Sequence, residues 1–160
     1  MLSRRSVLLP ITLALAITPV AATAGSTPPR PKAGNWKVVA LFNLTKSGRF
    51  KVTKDRSAVI ALRVVPGSGA NASCGTTEMR VLGTLKLSKA SRGGTTIWIV
   101  GKNRPQTSDG VEPVKVTVKQ GTKTFKGTLK MTFQENARAG DGQLELPGCD
   151  LLAFGTKKVK

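Results

Sequence analysis

The sequence contains no histidine and no tyrosine, and its 160 residues include only two cysteines, two tryptophans and five phenylalanines. Without imidazole the usual general base is missing, which excludes Ser-His-Asp and Cys-His nucleophiles together with zinc sites built on histidine. A Ser-Lys nucleophile needs an S-x-x-K element on a helix, and none is present; Ser57 and the Ser88-Lys89 pair read as turn residues. Beyond Val20 no stretch longer than a turn has helical periodicity, so no glycine loop can present a phosphate to a helix N-terminus. Asp109-Gly110 and Asp141-Gly142 are turn chemistry outside any calcium-loop spacing. No metal site and no cofactor are therefore expected.

Acidic residues are the other scarcity, with 8 Asp and Glu against 26 Lys and Arg. If two of the eight faced each other across a cleft they could hydrolyse a glycoside, and Glu78, Glu135, Glu145 and Asp150 are the candidates by their places near strand ends. Each is more simply a surface charge among abundant lysines.

What is present begins with a leader. Met1 to Arg5 is basic, Val7 to Val20 is an apolar run of roughly 14 residues, and Ala22-Thr23-Ala24 supplies small residues before Gly25, the three parts of a secretory signal. The run falls short of the roughly 20 apolar residues a membrane-spanning helix needs, so removal is expected rather than transmembrane anchoring. Ser3-Arg4-Arg5-Ser6-Val7-Leu8 also resembles the twin-arginine export motif, with Val7 where a larger aromatic is usual. The expected location is secreted or extracytoplasmic, reached by the Sec or the twin-arginine route. The layout that follows is a signal peptide at 1–24, a flexible Pro-containing leader at 25–34, one β domain at 35–156 and a basic tail at 157–160.

In an oxidising compartment two cysteines are most simply one disulfide, Cys74 to Cys149. Without Arg4 and Arg5, 24 basic residues stand against 8 acidic ones, a balance of +16. Such a surface attracts polyanions, although the same charge also serves solubility.

Short alternating segments fill the domain. Trp36, Val38, Ala40, Phe42 and Leu44 share one face, a turn at Ser47-Gly48 is expected next, and Phe50 and Val52 resume the pattern. Ala58, Ile60, Leu62 and Val64 form a third inward set. Ile97-Trp98-Ile99-Val100 is continuously apolar, as in a strand covered on both sides. Val114, Val116 and Val118 alternate with Lys115, Thr117 and Lys119, and Phe125 to Phe133 alternate with Lys126, Thr128, Lys130 and Thr132. A two-residue turn at Gln120-Gly121 would set Val116 against Phe125 and Lys115 against Lys126. Arg138 to Gly142 reads as a turn, with Gln143 to Leu146 returning toward Cys149. About eight or nine short strands between Gly- and Pro-containing turns predict an all-β, antiparallel β-sandwich with one disulfide, a small β-barrel being the alternative.

Gly34-Asn35-Trp36, Gly48-Arg49-Phe50-Lys51-Val52, Cys74-Gly75, Trp98-Ile99-Val100-Gly101 and the Gly127 to Phe133 strand resemble a loose group of small exported bacterial all-β proteins of unknown function. The resemblance implies a fold and a compartment, and brings no catalytic residue with it.

The leading functional expectation is a non-enzymatic binding or structural module that associates electrostatically with anionic envelope polymers, whether wall polymer, acidic glycan or nucleic acid. Its candidate anion-binding residues are Lys115, Lys119, Lys126 and Lys130 on one hairpin face. The alternative is a protein-binding module, such as an inhibitor of secreted hydrolases, whose Asn103 to Gly110 or Arg138 to Gly142 loop enters a protein partner. A carboxylate-dependent glycosidase is the third.

Overall fold

The structure is a computed structural model that describes residues 28–160 apart from positions 71, 93, 135 and 150. The expected signal peptide, Glu135 and Asp150 lie outside the described residues. Among the described residues no helix is long and apolar enough to cross a membrane.

Among the described residues twelve strands carry the fold: β1 (Gly34–Ala40), β2 (Thr45–Val52), β3 (Ala58–Pro66), β4 (Met79–Val81), β5 (Thr84–Arg92), β6 (Thr95–Val100), β7 (Lys102–Asn103), β8 (Val111–Glu112), β9 (Val114–Gln120), β10 (Lys123–Phe133), β11 (Ala139–Glu145) and β12 (Leu152–Lys158). Each of β1 to β3 pairs with the next, and β10, β11 and β12 do likewise. Between β3 and β10 the wall is made of strands laid end to end. β5 and then β4 occupy one edge of β3, while β9 and then β6 occupy one edge of β10. β4 bonds β9, and β5 bonds β6. Finally β12 returns to β1, with Trp36 opposite Lys158 and Val38 opposite Thr156.

The result is a closed antiparallel barrel of eight strand positions, an up-and-down meander. It is the second of the two architectures the sequence allows, not the sandwich. Hydrogen bonding passes from strand to strand until the first and last strands pair, leaving no edge at which one sheet ends and another begins. Such a barrel has an interior just wide enough for side chains to fill. One apolar cluster, drawn from all eight positions and including Trp36, Phe50, Val64, Met79, Val118, Leu129, Leu144 and Phe154, fills it. Gly142 shows how tight the filling is: a Cβ there would lie 2.2 Å from the Phe154 ring.

Ile97 to Val100 is covered on both sides, as its composition predicts. Trp98 and Val100 join the interior, whereas Ile97 and Ile99 pack outside with Ala90 and Val111 under the β7–β8 hairpin.

Four local readings change. In β3, Ala61 has φ 54° and stands with Leu62 against the single Phe50 position, a bulge that shifts the phase so that Val59, Leu62 and Val64 point inward instead of the Ala58 and Ile60 set. The first turn comes earlier than Ser47-Gly48, at Leu41 to Leu44, where the Leu44 N–H donates to Leu41 O at 3.0 Å. This places Phe42 on the surface, 85% exposed. The β9–β10 turn is Gly121-Thr122, with Gly121 at φ 58°, so Val118 faces Phe125, Thr117 faces Lys126 and Lys115 faces Thr128. The shift is even, so inward positions still meet, but Val116 faces Gly127 rather than Phe125 and the expected Lys115–Lys126 opposition disappears. Lastly, β11 begins at Ala139, so most of the Arg138 to Gly142 segment is strand rather than loop.

The barrel ends differ. At one, Trp36 stacks on Phe50 with centroids 5.5 Å apart and meets Phe133 edge-on at 5.4 Å. A strap of chain from Pro28 to Ala33 lies across it: the Trp98 indole donates to Pro28 O at 2.9 Å, the Trp36 indole to Lys32 O at 2.8 Å, and the Lys32 N–H to Ala137 O at 3.2 Å. At the other end Cys74 and Cys149 are disulfide-bonded, as expected, with Cα atoms 4.7 Å apart. The Gln120 side chain donates to Cys74 O and Thr77 O at 2.9 and 3.0 Å, fastening the same loop to β9.

Candidate anion-binding face

Because the interior is filled, groups able to meet a large partner stand on the outer wall. The alternation that sends Val116, Val118, Leu129 and Met131 inward puts Lys115, Lys119, Lys126 and Lys130 outward. The structure brings the first three together. Lys115 and Lys119 are on β9, and Lys126 on β10 faces Thr117 between them.

Lys130 is separated from that group by its partner. Its ammonium donates to the Asp109 carboxylate, which the loop between β7 and β8 presents. This hydrogen bond holds the Asp109 carboxyl below its ordinary value of 3.8, with further help from the Val111 N–H and Thr107 hydroxyl. A cation already engaged this way has less to offer an external anion.

Beyond Thr128 and Glu145, their last paired position, β10 and the chain leaving β11 part company. A crevice of about 800 Å³ opens there, lined by Lys115, Thr117, Lys126, Thr128, Glu145 and the segment from Leu146 to Cys149. Thr128 Oγ1 donates to Glu145 at 3.4 Å. Of the carboxylates proposed for glycoside hydrolysis, Glu145 is thus on the crevice wall and Glu78 is elsewhere, bonded to Arg63 at 3.0 Å. The two do not line one cleft. Among the described residues no three His, Cys, Asp or Glu side chains are grouped to hold a metal ion.

The larger cationic feature crosses the strands. Lys157 on β12 is opposite Lys37 on β1, Lys37 opposite Arg49 on β2, Arg49 opposite Arg63 on β3, Arg63 opposite Arg80 on β4, and Arg80 opposite Lys119 on β9. Six basic residues on six adjacent strands form one unbroken outward row. At about 4.8 Å between strands it is about 24 Å long. Like charges directly opposite each other destabilise a sheet, and this row contains five such pairs in succession, with Glu78 bonded to Arg63 as a compensating acid. Its Lys119 end lies one outward position along β9 from Thr117 and the crevice.

Sequence reasoning found Lys119 and missed the other five members as a site. Each occupies an ordinary outward position. Only the register, including the bulge at Ala61, brings Arg49, Arg63 and Arg80 into line.

Comparison with family models, with curated proteins and with solved structures finds no match to this chain.

Proposed function

We propose that this disulfide-stapled barrel is a non-catalytic, exported binding module that holds an anionic envelope polymer along its outer wall. The observation that carries the proposal is the row from Lys157 to Lys119, in which register aligns six cations that a fold seeking only solubility would disperse. Three of the six are arginines, whose planar guanidinium groups bind phosphate or carboxylate oxygens in pairs; Arg49 and Arg80 contribute most, since Arg63 is already engaged by Glu78. Lys115 and Lys126 extend the positive surface beyond Lys119. The disulfide fits an oxidising compartment.

The test is retention on an immobilised polyanion as salt is raised. Arg49→Gln, Arg63→Gln and Arg80→Gln combined should elute much earlier than wild type and lower the slope of log affinity against log salt by about 2 to 3. The combination Lys102→Gln, Lys123→Gln and Lys160→Gln, equal in charge change but outside the row, should elute close to wild type. Equal elution of the two triple variants would show that only net charge matters and would remove the row as a site.

A further inference from the structure

The turn joining β1 to β2 carries a second unexplained feature. Its central residues, Phe42 and Asn43, have φ of 50° and 58°, the left-handed pair of a mirror-image type I′ turn. Asn accepts that conformation readily, whereas for a bulky side chain it is an outlier. Phe42 is also 85% exposed, so this position combines backbone strain with an aromatic ring in water. Folding would favour Asn or Gly there on both counts.

The apolar surface is not confined to Phe42. Val39 and Leu151 are 40% and 41% exposed. Gly155 on β12 leaves its outward position empty, and Val39 and Leu41 pass within 3.6 and 3.8 Å of where its Cβ would be. One outward step away from the turn, β1 and β12 carry Lys37 and Lys157, the first pair of the basic row, and Lys46 stands exposed just after the turn. An apolar knob is thus bordered by cations on its own strands. Self-association through it is opposed by the +16 balance. The crevice beside Phe42 holds Arg92 and Lys130 against Asp109 and Asp141, so its own charges balance, and the net positive border comes from Lys37, Lys46 and Lys157. An apolar projection with that border matches an anionic bilayer, where the ring reaches the acyl boundary and the ammonium groups remain among lipid phosphates.

We infer that Phe42 and its apolar neighbours form a membrane-contact knob that docks the barrel peripherally on anionic lipid. This site is separate from the polymer-binding row and does not depend on it.

Vesicle sedimentation tests the inference with the protein lacking residues 1–24, which retains every strand of the closed barrel. Wild type should partition onto vesicles of phosphatidylcholine with one-third phosphatidylglycerol and much less onto phosphatidylcholine alone. Phe42→Asn should lower the partition coefficient at least tenfold while keeping wild-type retention on soluble polyphosphate. Because Asn suits the turn, the same variant should melt about 2–4 °C higher, which rules out misfolding as the cause of lost partition. Phe42→Trp should partition normally and shift its emission to the blue on vesicle addition, against the buried background of Trp36 and Trp98. Failure of wild type to bind the anionic vesicles, or equal binding by Phe42→Asn, would overturn the inference. So would a Phe42-dependent protein complex in the absence of vesicle binding. Polyphosphate retention separately decides the fate of the row.

Discussion

One end of the barrel is closed by packing and the other by a covalent bond. At the strapped end, Trp36, Phe50 and Phe133 fill the mouth with rings, and two indole N–H groups hold the segment from Pro28 to Ala33 across it. At the stapled end no comparable aromatic cluster exists among the described residues; the Cys74–Cys149 bond joins the loop after β3 to the loop before β12. The end closed by packing has its large side chains committed to the core. The end closed by sulfur leaves side chains at the surface, and the crevice and the Phe42 turn both lie on its side. A cross-link can close a barrel without filling it, so the stapled end retains freedom to present groups outward.

If that contrast is right, the two closures should fail differently. Trp36→Ala should have the largest effect, about 3–5 kcal/mol, because Trp36 is 1% exposed, contacts two rings and tethers the strap through Lys32 O. Urea titration followed by far-ultraviolet circular dichroism measures it. A loss below 1 kcal/mol would mean that the aromatic cluster does not hold this end.

Replacing both cysteines by serine should cost somewhat less, about 2–4 kcal/mol, since a closed loop of 75 residues restrains mainly the unfolded chain. Its structural effect should be local. Amides from Leu146 to Cys149 and around Gln120 should exchange faster, while the near-ultraviolet signal of Trp36 and Trp98 stays unchanged. Loss of that signal at the strapped end would show that the ends are one cooperative unit and would remove the contrast.

The same division explains what the sequence disclosed. The inward faces of β9 and β10 were legible because Val116, Val118, Leu129, Met131 and Phe133 obey a strict period of two, and the disulfide was legible because Cys74 had one partner to choose. Sandwich and barrel could not be separated, because strands such as β1 and β12 read alike whether or not they pair with each other. Phe42 was misplaced for a local reason: it extends the alternation of Trp36, Val38 and Ala40 by one step, and nothing in the pattern reveals that the chain turns at Leu41. The basic row was hidden more deeply. Arg49 and Arg63 are opposite one another only because the bulge at Ala61 adds a residue to β3, and a one-residue error there would turn the arginine away. Lys130 shows the converse, since its lysine was visible but its partner Asp109 depended on the path of the β7–β8 loop.

The smallest predicted effect tests whether acid distinguishes the wall from the closures. Neither the aromatic cluster nor the disulfide gains or loses a proton between pH 7 and 2, so both ends should persist through that range. The Asp109–Lys130 pair on the wall should not. Asp109 has its carboxyl lowered below 3.8 by the Lys130 hydrogen bond, so its contribution is complete above 3.8 and is lost as pH falls through the lower, folded-state value. Both side chains remain partly exposed, at 22% for Lys130 and 29% for Asp109, which limits the contribution to under about 1 kcal/mol. Asp109→Asn should therefore melt slightly below wild type at pH 7, and the gap between the two melting curves should narrow as pH falls below 3.8 and close once Asp109 is protonated in the folded state. A gap that stays constant across the titration would mean that Asp109 acts through the shape of its loop, by way of the Thr107 and Val111 hydrogen bonds, and not through its charge on Lys130.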